Sequence, residues 1–325
     1  MKRRSFIAAV GSVLAYPALA LAQAGRTYRI GSAYIADSST TKPFEEAFLA
    51  GLRELGYERG KNLVYDVRNC DGDPSRLPAL VDELIALKPD LLVGIEQVAR
   101  VMRSKTAKIP IVLSNSTDPV AAGLVKTLAR PGGNVTGIAA LTEVLGAKSV
   151  EILGEIVPKM KTVALLLDPG VPAAGNIERH VQEAAKARGV RAMTYWAKDR
   201  GTLAQAFAAM ERNRPDAILN ASGSGLLFGE RLFIGDNALR LRLAFASAGA
   251  ATVDSRALFS YGASLQRMFR QAASHAARIL KGANPAELPI EQPTEFELVL
   301  NLKTAKALGI KFPQSILVRA DRVIE

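Results

Sequence analysis

Thr162-Val163-Ala164-Leu165-Leu166-Leu167, followed at once by Asp168-Pro169-Gly170, is the stretch on which the reading of the fold turns. Six uncharged residues, apolar at odd and even positions alike, predict a strand covered on both faces, as in a parallel sheet flanked by helices. Downstream, the spacing of apolar residues over 173–188 is helical and stops at Gly189, and 191–196 reads as the next strand. A helix through Met210, a strand at 217–219, a helix through Leu239 and a strand at 243–246 continue the alternation.

Upstream the same rhythm has already run once. A strand at 28–34 precedes a helix at 43–55 that ends at Gly56, and 62–67 is a second strand. Asp73-Pro74-Ser75 opens a helix reaching Leu87, with proline at an early helical position, and strands follow at 91–94, 109–113 and 134–138. Two blocks of βα units, roughly 26–140 and 145–255, predict an α/β chain of two doubly wound, Rossmann-like parallel-sheet lobes with right-handed crossovers. The C-terminal remainder is too short for a third lobe. A helix at 264–281 and an apolar segment at 296–300 are expected to return to both lobes, which makes a multi-crossing hinge. The expected division is 25–140 with 260–288 for lobe I, and 141–259 with 289–325 for lobe II.

Residues 1–24 read as a signal peptide. Lys2, Arg3 and Arg4 precede an apolar stretch from Phe6 to Ala22, and Ala18, Ala20, Ala22 and Ala24 supply small residues for cleavage after Ala22 or Ala24. The alternative, a retained anchor, needs about 17–25 apolar residues, which this stretch barely reaches. Arg3-Arg4-Ser5-Phe6-Ile7 partly resembles a twin-arginine signal, so either the Sec or the twin-arginine route fits a periplasmic destination. No cysteine stands at the end of the apolar stretch to take a lipid. Cys70 is the sole cysteine, so an intramolecular disulfide is excluded, and Asp71 and Asp73 beside it disfavour a thiolate.

The formal net charge is +11, and three of those charges lie in the leader. The remaining Lys and Arg residues are scattered among Asp and Glu at helix-surface spacing, with no basic-aromatic module, so no nucleic-acid partner is expected. His180 and His275 are the only histidines, and neither has a ligand-like partner spacing. No GxSxG elbow, Walker sequence or GxGxxG turn is present. No catalytic residue, metal or cofactor is therefore expected.

In open parallel sheets ligands bind beyond the carboxyl ends of the strands. Those ends here carry Asp37-Ser38, Glu96-Gln97, the run Ser114-Asn115-Ser116-Thr117-Asp118, Asp168, and Ser222-Gly223-Ser224-Gly225. The candidate ligand contacts are Asp37, Ser38, Glu96, Gln97, Ser116, Asp118, Asp168, Ser222 and the ring of Tyr261. Each polar residue among them is also a good helix cap, and Tyr261 also fits a core position. Ser114–Asp118 holds more polar groups than capping needs, and Gly223 and Gly225 allow close backbone approach.

Longer stretches carry a resemblance. Gly51-Leu52-Arg53-Glu54-Leu55-Gly56-Tyr57, Ile109-Pro110-Ile111-Val112, Asp118-Pro119-Val120, 128–137 with its core Arg130-Pro131-Gly132-Gly133-Asn134-Val135-Thr136-Gly137, and 291–305 are similar to ABC-transporter substrate-binding proteins of the tryptophan/tyrosine-binding type. The resemblance spans essentially the whole chain after the leader. It implies the periplasmic-binding-protein type I fold and closure of two lobes around a small molecule without naming it; an amino acid or an aromatic or polar metabolite is the expected class. It also implies delivery to an ABC permease in the inner membrane by a monomer. Where that family commonly has a small hydroxyl-bearing turn after the third strand, this chain reads Gly94-Ile95-Glu96-Gln97-Val98. An ionised Glu96 facing the cleft would repel a carboxylate and attract an amine or hydroxyl. On the residues alone, a ligand-sensing partner of a membrane receptor and an exported enzyme with an unrecognised site stay open.

Overall fold

The computed structural model describes residues 25–140, 143–247 and 256–325, with side chains from 145 onward in the second stretch. The expected signal peptide at 1–24 lies outside the described residues. Two sheets form, each sandwiched between helices. The first runs β2-β1-β3-β4-β5, with β1 (Tyr28–Tyr34), β2 (Leu63–Asn69), β3 (Leu91–Ile95), β4 (Ile111–Asn115) and β5 (Val135–Gly137) all parallel. Ile30, Leu91, Val93 and Val112 bury one face against α1 (Ser38–Glu54) and α9 (Leu265–Leu280). Ala33, Leu92, Ile111 and Leu113 bury the other against α2 (Leu77–Ala86) and α3 (Glu96–Lys105). Residues that alternate along each strand thus both reach a core, as the apolar runs predict.

The second sheet runs β12-β11-β10-β9-β8-β6-β7, built from β6 (Thr162–Leu167), β7 (Arg191–Trp196), β8 (Ala217–Asn220), β9 (Ala244–Ser247), β10 (Phe259–Gly262), β11 (Glu297–Asn301) and β12 (Arg322–Ile324). Val163, Leu165 and Leu167 pack under α4 (Glu143–Ile156) and α5 (Ala174–Ala187). Ala164 and Leu166 pack under α6 (Arg200–Asn213) and α8 (Arg231–Arg240). The deciding strand is therefore buried on both sides.

The structure corrects several sequence expectations. The helix expected from 43 starts at Ser38, because Asp37 caps it; its side chain accepts the Thr40 amide, and Pro43 is carried inside the helix. The helix expected from 73 begins as a 3-10 turn at Pro74–Arg76. Helix α3 has no counterpart in the sequence reading. The second sheet is not wholly parallel, since β11 runs antiparallel to β10. Tyr261 and Gly262 belong to β10, paired with β11, whereas Leu288 lies in the first lobe's core and Glu291 bridges to Ile138. The chain passes between the sheets after β5, between β10 and α9, and between Glu291 and β11.

The segment Arg130–Gly137, the most specific of the family-like motifs, is built for architecture. Asn134 Nδ2 donates to the Thr106 carbonyl at 3.1 Å and to that of Ile109 at 2.7 Å, and Thr136 Oγ1 donates to the Leu288 carbonyl at 2.7 Å. Gly137 has φ +135°, and a Cβ there would stand 2.3 Å from the Leu113 carbonyl oxygen, so only glycine fits. The motif fastens β5 to β4 and to the segment returning from α9.

Candidate functional site: a cavity between the lobes

The carboxyl ends of both sheets face each other across a cavity that opens on one side to solvent. Its wall is aromatic. Tyr34 ends β1, Phe44 comes from α1, Met268 and Phe269 from α9, and Phe228 from the short helix α7 (Gly225–Gly229). The Phe44 ring centroid lies 5.4 Å from those of both Phe228 and Phe269, and Phe269 stacks on Tyr34 at 6.2 Å. Phe44 and Phe228 belong to different lobes, so their edge-to-face pair closes a seam. The polar end is formed by Asn115, the last residue of β4, and by Asn220, Ser222, Gly223 and Ser224 at the end of β8.

Of the nine candidate contacts, Ser222 lines this cavity and the other eight do not. Asp37 caps α1, with Ser38 exposed beside it. Partial burial pushes the Asp37 carboxyl up, but hydrogen bonds from Ser39 and Thr40 outweigh it and hold the pKa at about 2. Glu96 is 5% exposed, and its Oε2 accepts the Ser116 hydroxyl, the Thr117 amide at 2.9 Å and the Asp118 amide at 3.0 Å. Burial pushes the Glu96 carboxyl above its ordinary value against the pull of those donors. Ser116 is thereby committed to Glu96, and Asp118 caps the amides of Val120 and Ala121. Tyr261 packs on Phe296 with ring centroids 6.3 Å apart, while its neighbours Gly262 and Ala263 reach the cavity.

The aromatic wall is not legible in the sequence because Phe228 and Phe269 stand far along the chain from Tyr34 and Phe44. Their spacing gives no local signal. Asn115 was within the polar run that sequence reading singled out, but it was not picked from it. Cys70 is fully buried, and burial pushes its thiol up to about 11, which fits a structural role.

An aromatic-walled cleft between two sheets' carboxyl ends is the shape of a small-molecule site. Residues 34–324 match the model of the family described as ABC transporter substrate binding protein. The chain belongs to this family. A tyrosine-binding protein of Clostridioides difficile is 23% identical over 283 residues, covering 87% of this chain and 81% of that protein. A solved Vibrio cholerae conserved domain protein aligns with a TM-score of 0.85 at 29% identity, over 92% of this chain and all of that one. A Streptococcus pneumoniae ABC domain in complex with L-Trp aligns with a TM-score of 0.84 at 25% identity, over 92% of this chain and all of that one. The architecture is that of type I periplasmic sugar-binding structures. Members of this family are binding proteins of ABC transporters, not enzymes.

In this substrate-binding protein the lobes touch. Gln97 of α3 reaches across the cleft, where its Nε2 donates to Asp168 Oδ2 at 3.0 Å and its Oε1 accepts the Gly225 amide at 3.0 Å. Asp168, 4% exposed, also accepts the Ser224 hydroxyl at 2.5 Å and the Gly170 amide at 2.7 Å. Arg231 Nη1 donates to Thr40 Oγ1 at 3.1 Å on the far side of the Phe44–Phe228 pair. Between these polar contacts the second lobe presents glycines. A Cβ on Gly225 would stand 2.9 Å from Ile95 Cδ1 and 3.2 Å from Ile35 Cβ, and one on Gly229 would meet Ala36 Cβ at 3.2 Å. Gln97 and Asp168 thus join the two lobes across the seam.

Proposed function

We propose that this chain captures a small molecule with an aromatic body and a polar end between its two lobes. It then hands that molecule to an ABC permease in the inner membrane. The observation that carries the reading is the interlobe cavity, with Tyr34, Phe44, Phe228 and Phe269 around its body and Asn115, Asn220 and Ser222 at its polar end. Each lobe supplies part of the wall, so a bound solute would bridge the lobes and favour closure. Tyrosine and tryptophan, the ligands named for two similar proteins, are the first candidates. Ser222 is the sequence-derived candidate that serves as a contact. Gln97 and Asp168 act by closing the cleft, and Glu96, Ser116 and Asp118 by shaping the turn beside it. The basic-apolar leader at 1–24 supports export to the periplasm by the Sec or twin-arginine route.

Native mass spectrometry of the protein purified without its leader, followed by release of anything bound, tests this reading first. One co-purified aromatic molecule, recovered unchanged, supports it; a bound sugar or an inorganic ion refutes the aromatic assignment. Calorimetric titration with tyrosine and tryptophan covers the case of a bare protein.

A further inference from the structure

The polar end of the cavity holds an acceptor with nothing to accept. Asn115 Oδ1 is fully buried and has no hydrogen-bond donor in the structure. Its amide nitrogen faces the other lobe, since a Cβ on Gly223 would lie 3.8 Å from Asn115 Nδ2. The other carboxamide of the lining is engaged, because Asn220 Oδ1 takes the Ser222 amide at 3.3 Å and the Ser222 hydroxyl at 3.2 Å. A buried carbonyl oxygen left without a donor is costly, and a nitrogen–hydrogen group on the solute removes that cost.

The surroundings suit a positive nitrogen. The described lining of the cavity contains no Lys or Arg. Arg231, in the vestibule outside the Phe44–Phe228 pair, is held by Thr40 Oγ1 and lies over the Phe228 ring at 4.9 Å. Two helix N-termini that reach the cleft are filled by the protein's own groups: Asp37 caps α1, while Ser224 and Gln97 take amides of α7. Two buried side-chain carboxylic groups, Glu96 and Asp168, stand on either side of the seam. Aromatic faces also attract a cation.

Resting on the aromatic-solute reading, we propose that the cavity selects an aromatic amine, that Asn115 Oδ1 receives its nitrogen–hydrogen group, and that a carboxylate on the solute adds nothing to affinity. Asn115 is then the specificity-determining residue of the first lobe. Tyrosine and tryptophan are bound through the part of them that tyramine and tryptamine share.

The test is calorimetric titration of the leaderless protein with six probes: tyramine, tyrosine, 3-(4-hydroxyphenyl)propionate, tryptamine, tryptophan and 3-indolepropionate. Within at least one set of three, the amine binds as tightly as the amino acid or tighter. The acid lacking nitrogen binds at least about tenfold weaker, as expected for loss of a hydrogen bond to a charged donor. Asn115→Leu weakens amine binding about tenfold or more and erases the preference over the acid. The near-isosteric Asn115→Asp, checked for an unchanged circular dichroism melt, keeps amine binding and weakens acid binding further. Tighter binding of the amino acid or acid than of the amine overturns the proposal, and would point to the start of α9, where Ser264 makes no side-chain cap. Equal losses for amine and acid in Asn115→Leu also overturn it, and leave the aromatic reading standing. Binding of none of the six overturns the aromatic reading and this proposal with it.

Discussion

Glu96 and Asp37 are both strand-end carboxylates that a sequence reading places in a cleft, and their surroundings send them in opposite directions. Glu96 Oε2 holds the Ser116 hydroxyl and two backbone amides in a buried turn. Replacing it with alanine orphans those donors and is expected to cost about 2–3 kcal/mol in urea unfolding. Because burial raises its pKa, the folded chain binds that proton more tightly than the unfolded one. Its contribution is greatest below the ordinary value of 4.5 and is lost as pH rises through the folded value. The unfolding free energy of wild type relative to Glu96→Gln should therefore drift against the wild type as pH rises above 4.5. Asp37 behaves the other way. Its pKa is lowered from 3.8 to about 2, so its stabilisation is present above 3.8 and is lost as pH falls through about 2. Asp37→Ala should cost about 1 kcal/mol at neutral pH, the usual worth of an N-cap. That difference should vanish across this acid window in a pH series of urea melts. Ser, Asp and Glu at strand ends are legible as polar. Whether such a group caps, braces a turn or meets a solute depends on neighbours that sequence spacing does not name.

Helix α7 shows the same limit for an element. Gly225 reads in the sequence as a place for close backbone approach, and with Gly229 it forms the side-chain-free face on which Ile35, Ile95 and Ala36 seat. Gly225→Val would push into Ile95 and Ile35 at the edge of the first lobe's core. The expected result is unchanged far-ultraviolet circular dichroism and melting, an enlarged radius of gyration in small-angle X-ray scattering, and roughly tenfold or greater loss of affinity for whichever probe binds. Elements whose periodicity is strong, such as β6 and β7, have the same limits in sequence and structure. Those whose starts depend on caps, such as α1, or on a partner strand from a later return, such as β10, do not.

For the whole molecule, two opposing surfaces balance open against closed. Gln97 contributes two hydrogen bonds across the seam, to Asp168 and to the Gly225 amide. Gln97→Ala removes both while leaving α3 intact, and it should shift the population toward the open form. A solute that binds only the closed form then loses apparent affinity in proportion to the closed fraction. Titration should show a several-fold higher Kd with little change in melting temperature. Unchanged affinity would mean that the apolar glycine face alone sets the closed population.

The sequence by itself determined the two βα blocks, the basic-apolar leader, the absence of recognised catalytic signatures and the family-like Arg130–Gly137 segment. Each is written in local periodicity or in a contiguous motif, which near-neighbour backbone chemistry imposes. Tertiary structure alone decided which groups line the cavity. The aromatic wall is gathered from Tyr34, Phe44, Phe228 and Phe269, and the amide nitrogen of Asn115 in the first lobe lies near Gly223 of the second. These contacts span long separations along the chain, and the packing of two separately folded sheets, rather than the run of any one strand, brings them together.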